Sequence, residues 1–283
     1  MIRLGVAALQ EEEQSISFAK AVDMTLQLKS HRSKRTIQDI RQTMNTLMSC
    51  EQGLSEQSIR SITCAEWSRI LNKAYAHSPS RFMKARANLS GVYTLAYKHG
   101  WCKDNPVKCV PTKTLYERTI TPLSIHEIKS LLTTARLKVH RDCFPALSLM
   151  LYTGVRPDEI KRLSWRDIDW EEGMLCLAPR HTKTGGGRHI PIIKPLLQLL
   201  KHCQDEGAIC PKGWKSRWQY LREAAGFTTW VPDVLRHSYA SYHAKMYKNL
   251  PLLQLSMGHR DSRLLLTRYI NMRGISKKDA QRF

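Results

Sequence analysis

The sequence predicts a mainly α-helical protein with a small antiparallel β insert (α+β), a helical first domain being followed by a second that is also largely helical. Three observations carry this. Apolar residues recur at helical spacing, as in SRFMKARANLSGVYTLAYKHGW, where Phe82, Ala85, Leu89, Val92, Tyr93 and Ala96 mark one face. Only GMLCLAP (173–179) and RHIPII (188–193) read as strands, and TKTGGG between them supplies the turn. Residues 103–121 hold two prolines and no apolar period, which interrupts the helical pattern.

Taken in order, helices are expected around 16–29, 36–49 and 64–76, with the basic run KSHRSKR (29–35) joining the first two. The long helix that follows ends at KHG, and Asn105-Pro106 acts as a stop. The boundaries are placed at 1–110 for the first domain, 111–121 for a linker and 122–283 for the second domain. Ser124 and Glu127 form a capping box that opens the second domain, because each side chain can satisfy the other's free backbone N–H. Past the β insert, helices are expected over 195–205, 213–225, 233–247, 250–257 and 261–270.

Composition narrows the function. The chain has 283 residues, a net charge of +21 and 42% apolar residues, so it can bury a core while presenting a strongly basic surface. Residues 1–118 hold 18 Lys and Arg against 10 Asp and Glu, and the remainder holds 27 against 14. Both halves are therefore basic, which suits a polyanion gripped from two sides. The longest apolar run, near Cys143–Tyr152, is too short to span a bilayer, and no membrane association is expected. No export signal is read at the amino terminus, and the eight cysteines show no CxxC spacing. Reduced thiols in a cytoplasmic setting, and no metal site, are the expectation.

Several residues could carry chemistry. Arg156 stands before Pro157-Asp158-Glu159, at the mouth of a helix, where it is either a surface arginine paired with Glu159 or a ligand for an anion. Arg236 lies one turn into an amphipathic helix beside Leu235, Tyr239 and Tyr242. An arginine there needs a partner, a carboxylate such as Glu159 or a bound phosphate. Lys183 sits in the glycine-rich turn, His259 in a Met-Gly-His turn, and Tyr269 on the next helix. Alone, each is ordinary.

In this order, TGVRPDEI, TKTGGGRHIPI, LRHSYAS, MGH and TRY resemble the motifs of the tyrosine recombinases, the phage-integrase family. LAYKHGWCKDNP is similar to the close of that family's core-binding domain, and PLSIHEIKSLL to the entry of its catalytic domain. The resemblance implies a helical, SAM-like core-binding domain followed by a catalytic domain. It also implies that Tyr269 attacks a DNA phosphodiester, giving a 3′-phosphotyrosine and a free 5′-hydroxyl. Arg156 and Arg236 would clamp the phosphate, Lys183 would protonate the leaving oxygen, and His259 would bond to the phosphate or assist proton transfer. Glu159 would brace the arginines. No cofactor is implied. Double-stranded DNA, homotetramers on paired sites and accessory proteins are the implied partners, in a prokaryotic or phage setting. An integrase of a mobile element or prophage leads, with a dimer resolvase or a non-catalytic DNA-binding relative as alternatives.

Two departures from the family pattern stand out. The family commonly has His-x-x-Arg before the second arginine, whereas here the first position is Asp233. Aspartate is expected there to cap the helix or to orient Arg236, and His237 is read as structural. The interval from His259 to Tyr269 is one residue longer than the common arrangement, a difference the helix expected over 261–270 would absorb.

Overall fold

The computed structural model describes residues 16–115, 119–182, 185–259 and 261–283. The chain divides into two compact units, Met1–Tyr116 and Glu117–Phe283. Lys183 lies outside the described residues, as does the middle of the expected linker.

The first unit is built from α1 (Phe18–Leu28), α2 (Lys34–Cys50), α3 (Cys64–Tyr75) and α4 (Pro79–Lys98). Each begins at a hydroxyl residue, Ser17, Ser33, Thr63 or Ser78, whose oxygen accepts a first-turn N–H. At α3 the cap is a full box with Glu66. The face of α4 marked by Phe82 to Ala96 is the buried one. Its centre is a polar link in an apolar core: Trp67 Nε1 donates to the Tyr93 hydroxyl at 2.8 Å, which donates to the Ile59 carbonyl at 3.1 Å. The run after residue 103 is less featureless than its composition suggests. Pro106–Cys109 form a 3₁₀ turn, and Val107 and Val110 are buried in the first core. Arg86 ties the turn down by donating to the carbonyls of Val110 and Lys108.

The second unit opens with α5 (Ile125–Arg136), begun by the Ser124–Glu127 capping box. Then come α6 (Phe144–Thr153) and the single turn α7 (Pro157–Ile160). A three-stranded antiparallel sheet follows in the order β1 (Ile168–Asp169), β2 (Met174–Leu177) and β3 (Arg188–Pro191). In its register Leu175 faces both Ile168 and Ile190, which sets three apolar side chains on the core side. The strand β1 is two residues long, too short to leave an alternating pattern in the sequence.

The remaining helices are α8 (Lys194–Lys201), α9 (Trp214–Ala224), α10 (Val234–Tyr247), α11 (Leu250–Met257), α12 (Ser262–Leu264) and α13 (Lys277–Arg282). The central layer is α6, buried along nearly all its residues, packed on α10. Tyr242 of α10 donates its hydroxyl to the Leu123 carbonyl at 2.9 Å, and its ring stacks on Phe283 at 4.4 Å. The final helix, α13, thus folds onto its own chain. The single helix expected over 261–270 is instead α12 continued by a π-helical turn, Leu265–Tyr269.

Candidate active site

The site forms where α6 ends and α11 ends. The α6 helix stops at Gly154, whose backbone is left-handed with φ 63°. A Cβ at that position would lie 2.3 Å from Cδ1 of Tyr239, so only glycine lets the two segments approach. Two residues on, Arg156 takes the extended backbone (φ −70°, ψ 146°) that a residue before proline prefers.

Glu159, one turn into α7, is 2% exposed. Its carboxylate accepts from the Arg156 backbone N–H at 3.0 Å and the Arg156 guanidinium at 2.9 Å. It also accepts two bonds from Arg188, at 2.7 and 3.3 Å. Burial works against its charge, but the bonds and the cations of Arg188 and Arg156 outweigh that and hold its pKa below the ordinary value.

Arg188 is a member of this site that the sequence motifs did not single out. It begins β3 directly after the glycine run, so its backbone is fixed by the sheet while its side chain crosses to α11. A lone arginine at a strand start carries no signal of such a reach.

Three guanidinium groups converge on the carboxyl end of α11. Arg188 donates to the Ser256 carbonyl at 2.8 Å, Arg236 to the Met257 carbonyl at 2.5 Å, and Arg156 to the Gly258 carbonyl at 3.4 Å. The last carbonyls of a helix have no partner within it, and its carboxyl end carries partial negative charge, so cations are favoured there. Gly258 is left-handed at φ 62°, and a Cβ on it would press on the Arg188 side chain at 3.0 Å. The left-handed backbone is what favours glycine in the Met-Gly-His turn.

Arg236 is 1% exposed and is not hydrogen-bonded to Glu159. Its other partners are the Gly154 carbonyl and His259 Nε2, the latter at 2.8 Å. Burial, then the neighbouring Arg156 cation, pushes its pKa down to about 10, so it keeps its charge at neutral pH. Its Nε has no partner among the described residues. A guanidinium only donates, so His259 Nε2 accepts and the imidazole proton sits on Nδ1. Burial first, and then the three arginines, push the His259 pKa down to about 3, which makes the ring neutral.

Tyr269 is half-buried at the end of the π turn, which is closed by the Ile270 N–H bonding to the Leu265 carbonyl at 3.1 Å. A π turn holds one more residue than the α-helical turn it replaces. The stretch from His259 to Tyr269 thus has room for one residue more than an unbroken α-helix would give it. The Tyr269 ring centroid lies 4.6 Å from that of His259, 4.6 Å from that of His237 and 5.2 Å from the Arg236 guanidinium carbon. Arg156, Arg236, His259 and Tyr269 are therefore brought together. One carboxylate, Glu159, stands among three arginines, so among these residues positive charge is in excess and an anion would be drawn in.

Asp233 corrects an expectation. It stands at the start of α10, but its backbone is left-handed (φ 64°) and its side chain makes no capping bond. Capping needs the extended backbone that aims an oxygen at the first free N–H groups, and positive φ swings the side chain away from them. Nor is Asp233 among the hydrogen-bond partners of Arg236, which are the Gly154 and Met257 carbonyls and His259.

The family model of the phage integrase family matches residues 121–274, just over half of the chain. The chain belongs to the phage integrase family. A protein of Escherichia coli K12 named as a defective IntQ is 32% identical over 126 residues, 40% of this chain and 30% of its own length. Tyrosine recombinase XerA of Pyrococcus furiosus is 30% identical over 156 residues, 48% of this chain and 52% of its own. The chain thus spans no more than about half the length of these two relatives. A lambda integrase dimer bound to a COC′ core site has a TM-score of 0.76 at 17% identity, covering 96% of this chain and 82% of that one. That likeness establishes the integrase fold. Among the described residues, no helix is long and apolar enough to cross a membrane.

Proposed function

We propose that this chain is a site-specific DNA recombinase, an integrase of a mobile element or prophage, that breaks and rejoins duplex DNA through a 3′-phosphotyrosine intermediate. The observation that carries the reading is the gathering of Arg156, Arg236, His259 and Tyr269 around one helix end, in a setting with excess positive charge. In this reading the Tyr269 oxygen attacks the scissile phosphorus as the phenol loses its proton, and the bond to the 5′-oxygen breaks. Arg156 and Arg236 hold the non-bridging oxygens and stabilise the charge that grows on them. His259, neutral, accepts from Arg236 at Nε2 and so orients that guanidinium, and it is assigned a bond to the phosphate or a part in proton transfer from its motif alone. Lys183, outside the described residues, is assigned as the acid that protonates the leaving oxygen from its motif alone. A strand hydroxyl reverses the step, and the covalent adduct conserves the energy of the broken bond.

Tyr269 lies beside the Arg236 of its own chain, which supports cleavage by each protomer of the DNA it holds. The net charge of +21 supports binding to duplex DNA with steep salt dependence. Homotetramers on paired sites, with or without accessory proteins, and action on DNA in the cytoplasm complete the proposal. Resolution of chromosome or plasmid dimers would use the same chemistry. A matching attachment site beside the coding region would favour integration.

The test is covalent trapping. Nicked DNA from the ends of the encoding element, on which rejoining fails, should give a denaturant-stable protein–DNA adduct with wild type and none with Tyr269→Phe. A second reading, a DNA-binding protein without chemistry, is favoured by Asp233, a carboxylate where the family has a cationic phosphate ligand. Salt-sensitive binding to the same DNA with no adduct from either protein would establish it.

A further inference from the structure

Tyr269 is held by a residue whose sequence position suggests only packing. His237 follows Arg236 on α10, and its side chain is 2% exposed. Its ring lies face to face with the Tyr269 ring, 4.6 Å between centroids and 21° between planes. Beside it on α10, the Ser241 hydroxyl donates to the Tyr269 backbone carbonyl at 3.4 Å. The His237 Nδ1 is buried with no partner among the described residues. An apolar ring would fill this place without leaving a nitrogen unsatisfied, and a buried unsatisfied group in a folded protein calls for an explanation. What the structure shows for this residue is its ring, which covers the Tyr269 ring at the end of the π turn. Ser241, one turn along α10, lends a second hold by accepting from the Asn271 N–H at 3.0 Å.

We propose that His237 is a positioning residue that docks the Tyr269 segment onto α10, fixing the phenol ring beside Arg236 and His259. The inference rests on the reading of Tyr269 as nucleophile. Burial lowers the His237 pKa to about 4, so the stacked ring is neutral in working conditions.

Hydrogen exchange of the full chain without DNA tests the docking directly. His237→Leu should raise exchange in residues 265–271 by roughly tenfold, the scale of a lost aromatic pair, with the rest of α10 unchanged. His237→Phe should restore much of the protection. His237→Gln, which keeps a polar group but no ring, carries the same readout if the leucine variant does not fold. On nicked DNA, the variants lacking the ring should cleave roughly tenfold more slowly at saturating DNA, with unchanged salt-dependent affinity. Unchanged exchange in 265–271 overturns the proposal, as does loss of protection spread along α10, which marks a packing role. If wild type itself forms no adduct, the nucleophile reading fails while the exchange result still decides whether His237 holds the segment.

Discussion

Glu159→Gln tests whether the buried carboxylate organises the arginines. Glu159 is 2% exposed and accepts four hydrogen bonds, from the Arg156 backbone and from both guanidinium groups. Glutamine keeps the shape but loses the charge, and its amide nitrogen would point a donor at donors. Removing one member of a buried ion pair costs about 3–5 kcal/mol, because the partner charge is left uncompensated. A unit of this size loses about 2–4 °C in Tm per kcal/mol, so the expected drop is roughly 6–20 °C for the second unit. Five of the seven tryptophans lie in that unit, so tryptophan fluorescence during thermal unfolding follows it preferentially. A sulfate or short DNA duplex should recover part of the loss, since an anion replaces the missing carboxylate. Glu159→Gln melting within about 1 °C of wild type, with or without anion, would refute the claim that this carboxylate holds the site together.

Other outcomes follow from the same geometry. Arg156→Lys or Arg236→Lys should slow adduct formation by roughly 10²–10³, on the scale of a lost oxyanion donor, as single-turnover cleavage would measure. Gly154→Ala should destabilise by more than the ~1–2 kcal/mol cost of a left-handed backbone, since its Cβ would also strike Tyr239; urea unfolding reads this. Tyr93→Phe strips a buried partner from both Trp67 and the Ile59 carbonyl, and should cost the first unit about 1–3 kcal/mol by the same measurement. For pH, the folded values of His237 and His259, about 4 and about 3, lie below the ordinary 6.5. Between those values the unfolded chain binds protons that the folded chain does not, so stability is fullest above pH 6.5 and falls as the pH drops towards 4. Urea midpoints from pH 7 to 4.5 should decline, and less steeply in His237→Phe.

Much of this architecture was legible because local rules and tertiary packing agree. The apolar face of α4 and the Ser124–Glu127 box are short-range patterns, and each is formed as written. The fold class follows from such patterns. What escaped depends on contacts between distant segments. Arg188 matters because of Glu159 and Ser256, which lie 29 and 68 residues away. Residue preference at helix starts points to a cap at Asp233, but the backbone there turns left-handed, which aspartate tolerates better than most residues. The π turn leaves Leu265 buried and Tyr269 against α10, a pairing that no periodicity announces.

The three arginines at the end of α11 come from a helix junction, a strand and a helix, yet they share one reference. Each donates to a different one of three consecutive carbonyls, those of Ser256, Met257 and Gly258. A displacement of α11 would pull on all three cationic side chains together and, through Arg156 and Arg188, on Glu159. The end of one helix is thereby coupled to a junction, a strand and a second helix at once, so the position of α11 is felt by every cation of the site.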